Sequence, residues 1–256
     1  MPQDVKGRSS TGGGGQARTR LARRAVVDAA RTRFLERGYP ATTVEAISEL
    51  SDVPPATVYR LFSSKLGILK ALIDISIVGD DEAVPLQDRP QARALFADAD
   101  PKQQLSGFAG ICRAVNERTA PLYRILVSAA GSDPGAATLL GEQTRQRQAG
   151  QGQIARSLAR ARALRPHLRE RDAADTIHAL MSPEVYRLLV SERGWPPDRY
   201  EEWLTGTLIH QLLPPAAGEG CVPLTTAVLS AALLATSVGP AFQADVDLPS
   251  VVNWLL

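Results

Sequence analysis

The residues best placed to bind another molecule lie in one short segment, SDVPPATVYRLFSSK, which spans residues 51–65. Thr57, Tyr59 and Arg60 would share the outer face of a helix, and Lys65 follows that helix directly. A lysine beside a helix N-terminus can hold a phosphate group. The spacing therefore favours binding of a polyanion over covalent chemistry.

Two adjacent prolines, Pro54 and Pro55, precede these residues in an otherwise helical stretch. Proline is favoured at the first position of a helix, because the N–H that it lacks would have no partner there. Val58 and Phe62 follow at helical spacing and would bury the opposite face. The prolines thus predict the start of a helix and not an interruption.

Side chains suited to catalysis or to metal binding are sparse. His167, His178 and His210 are far apart, and no nucleophile–base pair or cofactor loop accompanies them, so we predict no catalytic, metal or cofactor site. Cys112 and Cys221 are the only cysteines, which excludes a disulfide framework and fits a reducing, cytoplasmic location. Cys112 itself is expected to be a small buried hydrophobe.

Charge is distributed unevenly along the 256 residues. Residues 1–70 hold 12 Lys and Arg against 6 Asp and Glu, whereas residues 71–256 hold 17 against 21. A basic N-terminal region on an acidic body suggests a polyanionic partner at that end.

The elements that position the segment are helical. Val26, Ala30 and Phe34 recur every four residues in a helix predicted over residues 18–37, which Gly38 would end. A short helix follows, with either Thr42 or Thr43 as its cap.

Val44, Ile47 and Leu50 form the apolar stripe of that short helix, and residues 51–53 interrupt it. Asp52 is a residue type that tolerates the left-handed conformation of a tight turn. Residues 42–62 thus fit a helix-turn-helix unit, although any αα-hairpin gives a similar pattern. The arginines at 18, 20, 23 and 24 favour the DNA-binding interpretation.

The rest of the chain is predicted to be helical, without strands or repeats. Ser63 or Ser64 opens a helix whose stripe contains Leu66, Leu69, Ile73 and Ile77. Further helices are predicted to begin at Pro101, at Pro121, at Pro134 after an Asp133 cap, at about residue 170 with a break at Ser182–Pro183, and at Pro197.

The predicted organisation has four parts. Residues 1–17 form a disordered arm, 18–66 a helix-turn-helix domain, 67–213 a larger helical domain, and 214–256 an atypical apolar tail. Residues 221–242 carry no charge, which is compatible with a packed helix, a poorly ordered tail or a membrane anchor.

About fifty residues from Arg23 onward resemble the DNA-binding domain of the TetR family of bacterial transcription regulators. The matching positions are Ala29, Ala30, Phe34, Gly38, Tyr39, Thr42, Thr43, Ile47, Val53, Thr57, Val58, Tyr59, Phe62 and Lys65. This chain departs from the family pattern at three positions, with Asp52 for the glycine of the turn, Pro54 for the usual helix cap and Arg33 for an apolar residue.

The resemblance implies contacts with both parts of a DNA duplex. Phosphates would be contacted by Thr43, Thr57, Tyr59 and Lys65. Base edges would lie near Glu45, Pro55, Ala56 and Arg60. Since Pro55 and Ala56 offer few hydrogen bonds, we expect readout through thymine methyl groups, Arg60 or Glu45, and DNA shape.

The C-terminal body resembles, more loosely, the ligand-binding and dimerisation domain of actinobacterial members. By that resemblance an effector pocket would be lined by Leu105, Phe108, Cys112, Tyr123 and Leu126. A homodimer interface would contain Ile177, Met181, Tyr186, Leu189, Trp203, Leu204 and Leu208. Apolar stripes at helical spacing are also what an ordinary core requires.

The implied function is that of a ligand-responsive DNA-binding regulator. The homodimer would repress transcription from a palindromic operator and be released by a small, largely apolar effector. A helical enzyme that merely contains an αα-hairpin and a regulator tethered to a membrane through residues 221–242 are the alternatives.

Overall fold

The computed structural model describes residues 12–79, 93–95 and 100–215, and all the regular structure in these ranges is helical. The described residues up to Pro214 form one compact unit. The interpretations of residues 1–11 and of the tail segment 221–242 therefore lie outside the described residues. The helices are α1 (Gly12–Arg37), α2 (Val44–Ser51), α3 (Pro55–Phe62), α4 (Lys65–Val78), α5 (Pro101–Ala130), α6 (Pro134–Arg160), α7 (Glu170–Leu180), α8 (Pro183–Tyr186) with a π-helical continuation (Arg187–Glu192), and α9 (Pro197–Leu212).

The first four helices surround one apolar core, which we call the N-terminal core. Val26, Ala30 and Phe34 of α1 are fully buried in it, which confirms the predicted face of that helix. α5 and α6 contribute to the same core through Leu122, Ile125, Leu126, Ala129, Ala136 and Leu139. The first four helices are therefore packed directly on α5 and α6.

A second apolar cluster, the C-terminal core, lies among α5, α6, α7 and α9. Tyr200 is completely buried at its centre, and its ring packs edge-on against Tyr186 at a centroid distance of 4.9 Å. Leu105, Ile154 and Ile177 bring α5, α6 and α7 to the same cluster. α5 reaches both cores because its 30 residues extend for about 45 Å.

Side-chain caps fix where the short helices begin. Thr43 Oγ1 accepts a hydrogen bond from Ala46 N at 3.1 Å, and Ser64 Oγ accepts one from Gly67 N at 3.0 Å. Thr42 is instead buried, and its hydroxyl lies 2.8 Å from Gly38 O. Of the alternatives open in the sequence, Thr43 and Ser64 are therefore the caps.

The predicted conformation of Asp52 is confirmed. Its φ of 53° and ψ of 32° are left-handed, and its N–H donates to Ser48 O to close α2. This one residue turns the chain between α2 and α3.

The turn gives a first testable prediction. Asp52→Gly should retain full stability, since glycine adopts positive φ without steric cost, whereas Asp52→Val should lose about 1–2 kcal/mol. Urea unfolding of both variants measures the difference. Equal stability of the two would show that the left-handed turn is not required.

Four sequence predictions of helix bounds and faces differ from the structure. Leu50 belongs to the predicted apolar stripe of α2 but is 45% exposed. Pro121 does not start a helix but lies inside α5. An internal proline costs about 3 kcal/mol. Burial of Leu122, Ile125 and Leu126 just beyond it stabilises by about 1.5–3 kcal/mol each, so packing keeps the helix continuous.

The other two differences concern helix faces and ends. On α4, Leu69 and Ile73 are buried as predicted, but Leu66 and Ile77 are only partly so. Ile68 and Leu72 are buried as well, because α4 packs against both α1 and α5. α1 begins at Gly12 rather than at residue 18, since extending an existing helix costs far less than nucleating one.

Candidate nucleic-acid interface

The α2–turn–α3 unit has a buried face and an exposed face. Val58 and Phe62 anchor α3 in the N-terminal core. The opposite face of α3 leaves Tyr59 and Arg60 exposed, and Tyr59 keeps 46% of its surface accessible. A large aromatic side chain with a free hydroxyl at such a position can contact another molecule without any rearrangement.

The N-terminal end of α3 is built without a side-chain cap. Pro54 occupies the cap position with no side-chain hydrogen bond, and its carbonyl accepts from Thr57 N and Val58 N at 2.8 and 3.1 Å. Pro55 and Ala56 are exposed at this end, and Thr57 is half-buried. The two prolines remove donors that would otherwise need partners, so this helix end presents an apolar surface.

Thr43 and Glu45 lie at the start of α2, and both are exposed. The Thr43 hydroxyl accepts from Ala46 N, which leaves its own proton available for a phosphate oxygen. Glu45 is in the first turn of α2, where the helix dipole favours a carboxylate.

Lys65 is more constrained than its predicted phosphate contact requires. Its Nζ donates to Tyr39 O at 2.8 Å and to Thr42 O at 2.9 Å, and it lies 4.2 Å from the centroid of the Tyr39 ring. Burial lowers the pKa of Lys65, an effect that the nearby Asp133 carboxylate opposes. Two of its three donors therefore brace the α1–α2 loop, and one remains for an external anion.

A polar contact that the sequence did not reveal joins this loop to the helical body. Tyr39 Oη donates to Asp133 Oδ2 at 3.2 Å, and Asp133 caps α6 through Gly135 N and Ala136 N. Burial and then Asp133 raise the pKa of Tyr39 to about 12. The Ala136 N–H first, with help from Tyr39, lowers the pKa of the Asp133 carboxyl.

Two further contacts hold α4 to the body, and these too were missed. Arg118 of α5 donates from Nε to Ser76 O at 2.8 Å and from Nη2 to Ile77 O at 3.1 Å, at the end of α4. Gln143 of α6 donates to Asp74 Oδ1 at 3.2 Å. No local pattern gives such contacts, because the partners are separated by 41 to 69 residues.

A basic surface continues from α3 onto α1. Arg18, Arg20, Arg23 and Arg24 are all exposed. The Arg23 guanidinium lies 4.8 Å from the centroid of the Phe62 ring, which places this part of α1 beside the end of α3. Positive charge here would attract a polyanion from solution.

The structure does not bring the five predicted pocket residues together. Leu105, Phe108 and Cys112 belong to the C-terminal core, whereas Leu126 belongs to the N-terminal core. Tyr123 is half-buried, and the Arg147 guanidinium lies 5.4 Å from its ring centroid. Cys112 is buried as expected, and burial raises its pKa to about 12.

Most residues predicted for the dimer interface already pack within one chain. The fully or nearly buried ones are Ile177, Met181, Tyr186, Leu204 and Leu208. They have no area left to bury against a second copy, because they form the C-terminal core. Only Leu189 and Trp203 keep partial exposure, so the prediction of interface contacts narrows to these two.

The described residues offer neither a metal site nor a membrane-spanning helix. No group of three or more His, Cys, Asp or Glu side chains in these ranges is arranged to hold a metal ion. None of the helices in the same ranges combines the length and apolar character needed to cross a membrane.

An all-helical body that carries an exposed, cation-flanked helix-turn-helix at its N-terminus defines a DNA-binding protein of the helix-turn-helix class. Residues 26–72 match the sequence profile of the bacterial regulatory proteins of the tetR family. The DNA-binding domain in residues 26–72 therefore belongs to that family.

Relatives support this assignment at two levels. The transcriptional regulator TcmR of Streptomyces glaucescens is 31% identical over 160 residues, covering 59% of this chain and 66% of TcmR. An uncharacterised regulator, YvkB of Bacillus subtilis, is 40% identical over 48 residues, covering 19% of this chain and 25% of YvkB. The chain thus spans less than two thirds of either curated relative.

Solved structures share the fold. That of NalD, the secondary repressor of the MexAB-OprM multidrug efflux pump in Pseudomonas aeruginosa, superposes with a TM-score of 0.58. The match covers 76% of this chain and 98% of NalD at 20% identity. The fold is therefore an N-terminal helix-turn-helix domain followed by a helical C-terminal domain.

Proposed function

We propose that this protein is a ligand-responsive transcription regulator, most simply a repressor, that binds a palindromic operator in double-stranded DNA as a homodimer. The observation that carries this proposal is the exposed outer face of α3, with Tyr59 and Arg60, held by buried Val58 and Phe62. Such a helix can enter the major groove while the flanking basic residues contact phosphates.

The DNA contacts follow from where each side chain lies. Thr43, Thr57, Tyr59 and the third donor of Lys65 would hold phosphates. Glu45, Arg60 and the apolar pair Pro55 and Ala56 would face base edges. Since apolar groups contact thymine methyls, we expect an operator half-site that contains a thymine opposite the start of α3.

Release from DNA would be transmitted by α4. The C-terminal end of α4 is held by Arg118 of α5, and its middle by Gln143 of α6. A movement of α5 or α6 would therefore move α4, and α4 would move the adjoining α3. In some conformations of the dimer, the distance between the two α3 helices would not match the distance between the two operator half-sites. An effector that binds such a conformation more tightly would shift the population away from the DNA-bound state. This is the role that we assign to residues 67–213, with residues 18–66 as the DNA-binding domain.

The dimer would form through the exposed surface of the last helices. Leu188 in the π-helical segment keeps 46% of its surface accessible. The next residue, Leu189, and Trp203 of α9 are partly exposed. A two-fold axis through this surface would place two α3 helices on one side of the dimer. We propose that the protein acts in the cytoplasm, where its operator is, and that it is not an enzyme.

The proposal is tested by selecting operator sequences from random DNA and measuring their affinity for Tyr59→Ala. The variant should bind the selected operator at least about tenfold more weakly, because it loses the hydroxyl contact and the ring. Fluorescence anisotropy at fixed salt measures the affinity, since phosphate contacts make binding salt-dependent.

Two further variants make this result specific. Tyr59→Phe should lose only the part that depends on the hydroxyl group. Val127→Ala, which changes a side chain of nearly equal exposure (45%) on α5, should bind like the wild type. Wild-type affinity in Tyr59→Ala would refute the assignment of α3 as the recognition helix.

A further inference from the structure

A polar layer separates the two apolar cores of the body. Along α6 the N-terminal core ends at Leu139 and the C-terminal core begins at Ile154, and Gln143 is the only buried residue of the helix between them. Along α5, Asn116 and Thr119 are buried between Cys112 and Ala120. Polar side chains are rarely placed inside a body without a partner to satisfy them.

The inner face of α6 carries three polar side chains in this layer, at four-residue intervals. Gln143 is hydrogen-bonded to Asp74 of α4. Gln151 is hydrogen-bonded to the ring of His178 of α7, with 2.8 Å between Oε1 and Nδ1. The first and third residues of the stripe thus have protein partners.

Arg147, the middle residue of the stripe, has no hydrogen bond to another side chain of the described residues. Its Nε is buried without a hydrogen-bond partner, and no carboxylate of the described residues lies within 4 Å of its guanidinium nitrogens. Its guanidinium lies over the Tyr123 ring, 5.4 Å from the ring centroid. A half-buried guanidinium without an acceptor is unfavourable unless another molecule supplies one.

The electrostatic surroundings of Arg147 also favour an added anion. Burial first, and then the positive charge of Arg147, lower the pKa of His178. A histidine side chain carries no negative charge, so His178 cannot neutralise the guanidinium. The Arg147 guanidinium lies 5.4 Å from the centroid of the Tyr123 ring, which places it beside α5. The guanidinium is therefore half-buried beside α5, with its Nε out of contact with solvent.

We propose that Arg147 binds the carboxylate of a small organic acid, which is the effector of the regulator. A carboxylate matches the fork of a guanidinium with two parallel hydrogen bonds, and the Tyr123 ring would cover the ion pair. This inference rests on the proposed function only in calling the acid an effector.

The position of the ion pair suggests how binding would reach the DNA. Arg147 lies one helical turn from Gln143, which holds α4 through Asp74. A ligand that pulls Arg147 inward would shift this turn of α6 and the contact with α4 together.

The experiment uses full-length protein and isothermal titration calorimetry without DNA. The probes are benzoate, 2-naphthoate, anthraquinone-2-carboxylate and decanoate, each paired with its primary amide. The wild type should bind at least one acid at least about tenfold more tightly than its amide. Arg147→Met should lose this preference, and Arg147→Lys should keep part of it, because a lysine retains the charge without the fork.

Arg145→Met is the matched control, since Arg145 is exposed on the same helix two residues away. It should bind every probe as the wild type does. Without ligand, Arg147→Met should unfold at the same or a higher temperature than the wild type, because it removes a buried unpaired N–H.

Each other outcome contradicts the inference. Equal affinity for acids and amides, unchanged acid binding in Arg147→Met, or no acid-selective binding in the wild type would overturn it. Release of operator DNA is measured separately. An acid that binds through Arg147 without releasing DNA would leave the binding site intact and refute the regulatory part of the proposed function.

Discussion

Gly67→Ala is expected to destabilise the protein by about 3 kcal/mol and to abolish operator binding. A Cβ at this position would lie 1.9 Å from Phe62 O and 3.1 Å from the Phe62 carbonyl carbon. The neighbouring atoms belong to the backbone and cannot rotate away as a side chain could. Either the end of α3 or the first turn of α4 must move.

Helix propensity alone predicts the opposite sign. Gly67 lies in the first turn of α4, and alanine is favoured over glycine in a helix by about 1 kcal/mol. Overpacking against the backbone is the larger effect, so steric repulsion decides the outcome. Urea unfolding measures the free energy, and the anisotropy assay measures DNA binding.

Gly150→Ala is the control for this prediction. Gly150 is exposed within α6, and an added Cβ would meet nothing within 4 Å. This variant should be up to about 1 kcal/mol more stable than the wild type. If Gly67→Ala were equally stable, the close approach of α4 to the end of α3 would be absent in solution.

Leu126→Ala is expected to lower the free energy of unfolding by about 2–5 kcal/mol. Leu126 is fully buried in the N-terminal core, where α5 packs against the DNA-binding helices. Removing three carbon atoms there leaves a cavity between the two parts of the protein. The measurement is chemical denaturation of the unliganded protein.

The adjacent residue provides the comparison, since Val127 is largely exposed and Val127→Ala should change stability by less than about 0.5 kcal/mol. The pair also separates two roles for Leu126. If it lined an effector site, its truncation would weaken acid binding while stability stayed near the wild-type value. Full stability of Leu126→Ala would therefore contradict the packing described above.

Local signals made the helix-turn-helix predictable. Thr43, Asp52 and Pro55 each act on the backbone within four residues, as a cap, a left-handed turn and a helix start. Their physics is contained in the local sequence, and the structure agrees with each. Pro121 shows the limit of this reasoning, because distant packing outweighs the local cost of a proline inside α5.

The body was less predictable for a geometric reason. Helical spacing predicts that Leu105 and Leu126 are buried. It does not predict that they belong to different cores, which lie at opposite ends of the long helix α5. Similarly, Ile177 and Leu208 could have been buried by the chain itself or by a second copy, and the chain itself buries them. Arg147 went unnoticed because one arginine in an arginine-rich helix has no distinctive local signal.

The shared N-terminal core limits how the operator preference of such a regulator can be changed by exchanging parts of the chain. A chimera cut just after α3 or α4 would sever Phe34, Ile68 and Leu72 from Leu122 and Leu126, which fill one continuous interior. The helices that would contact DNA therefore do not form a domain with a separate core. Operator preference could be exchanged between regulators by replacing only the exposed residues of α3. A transfer of all four N-terminal helices would have to include the second half of α5, which completes their core.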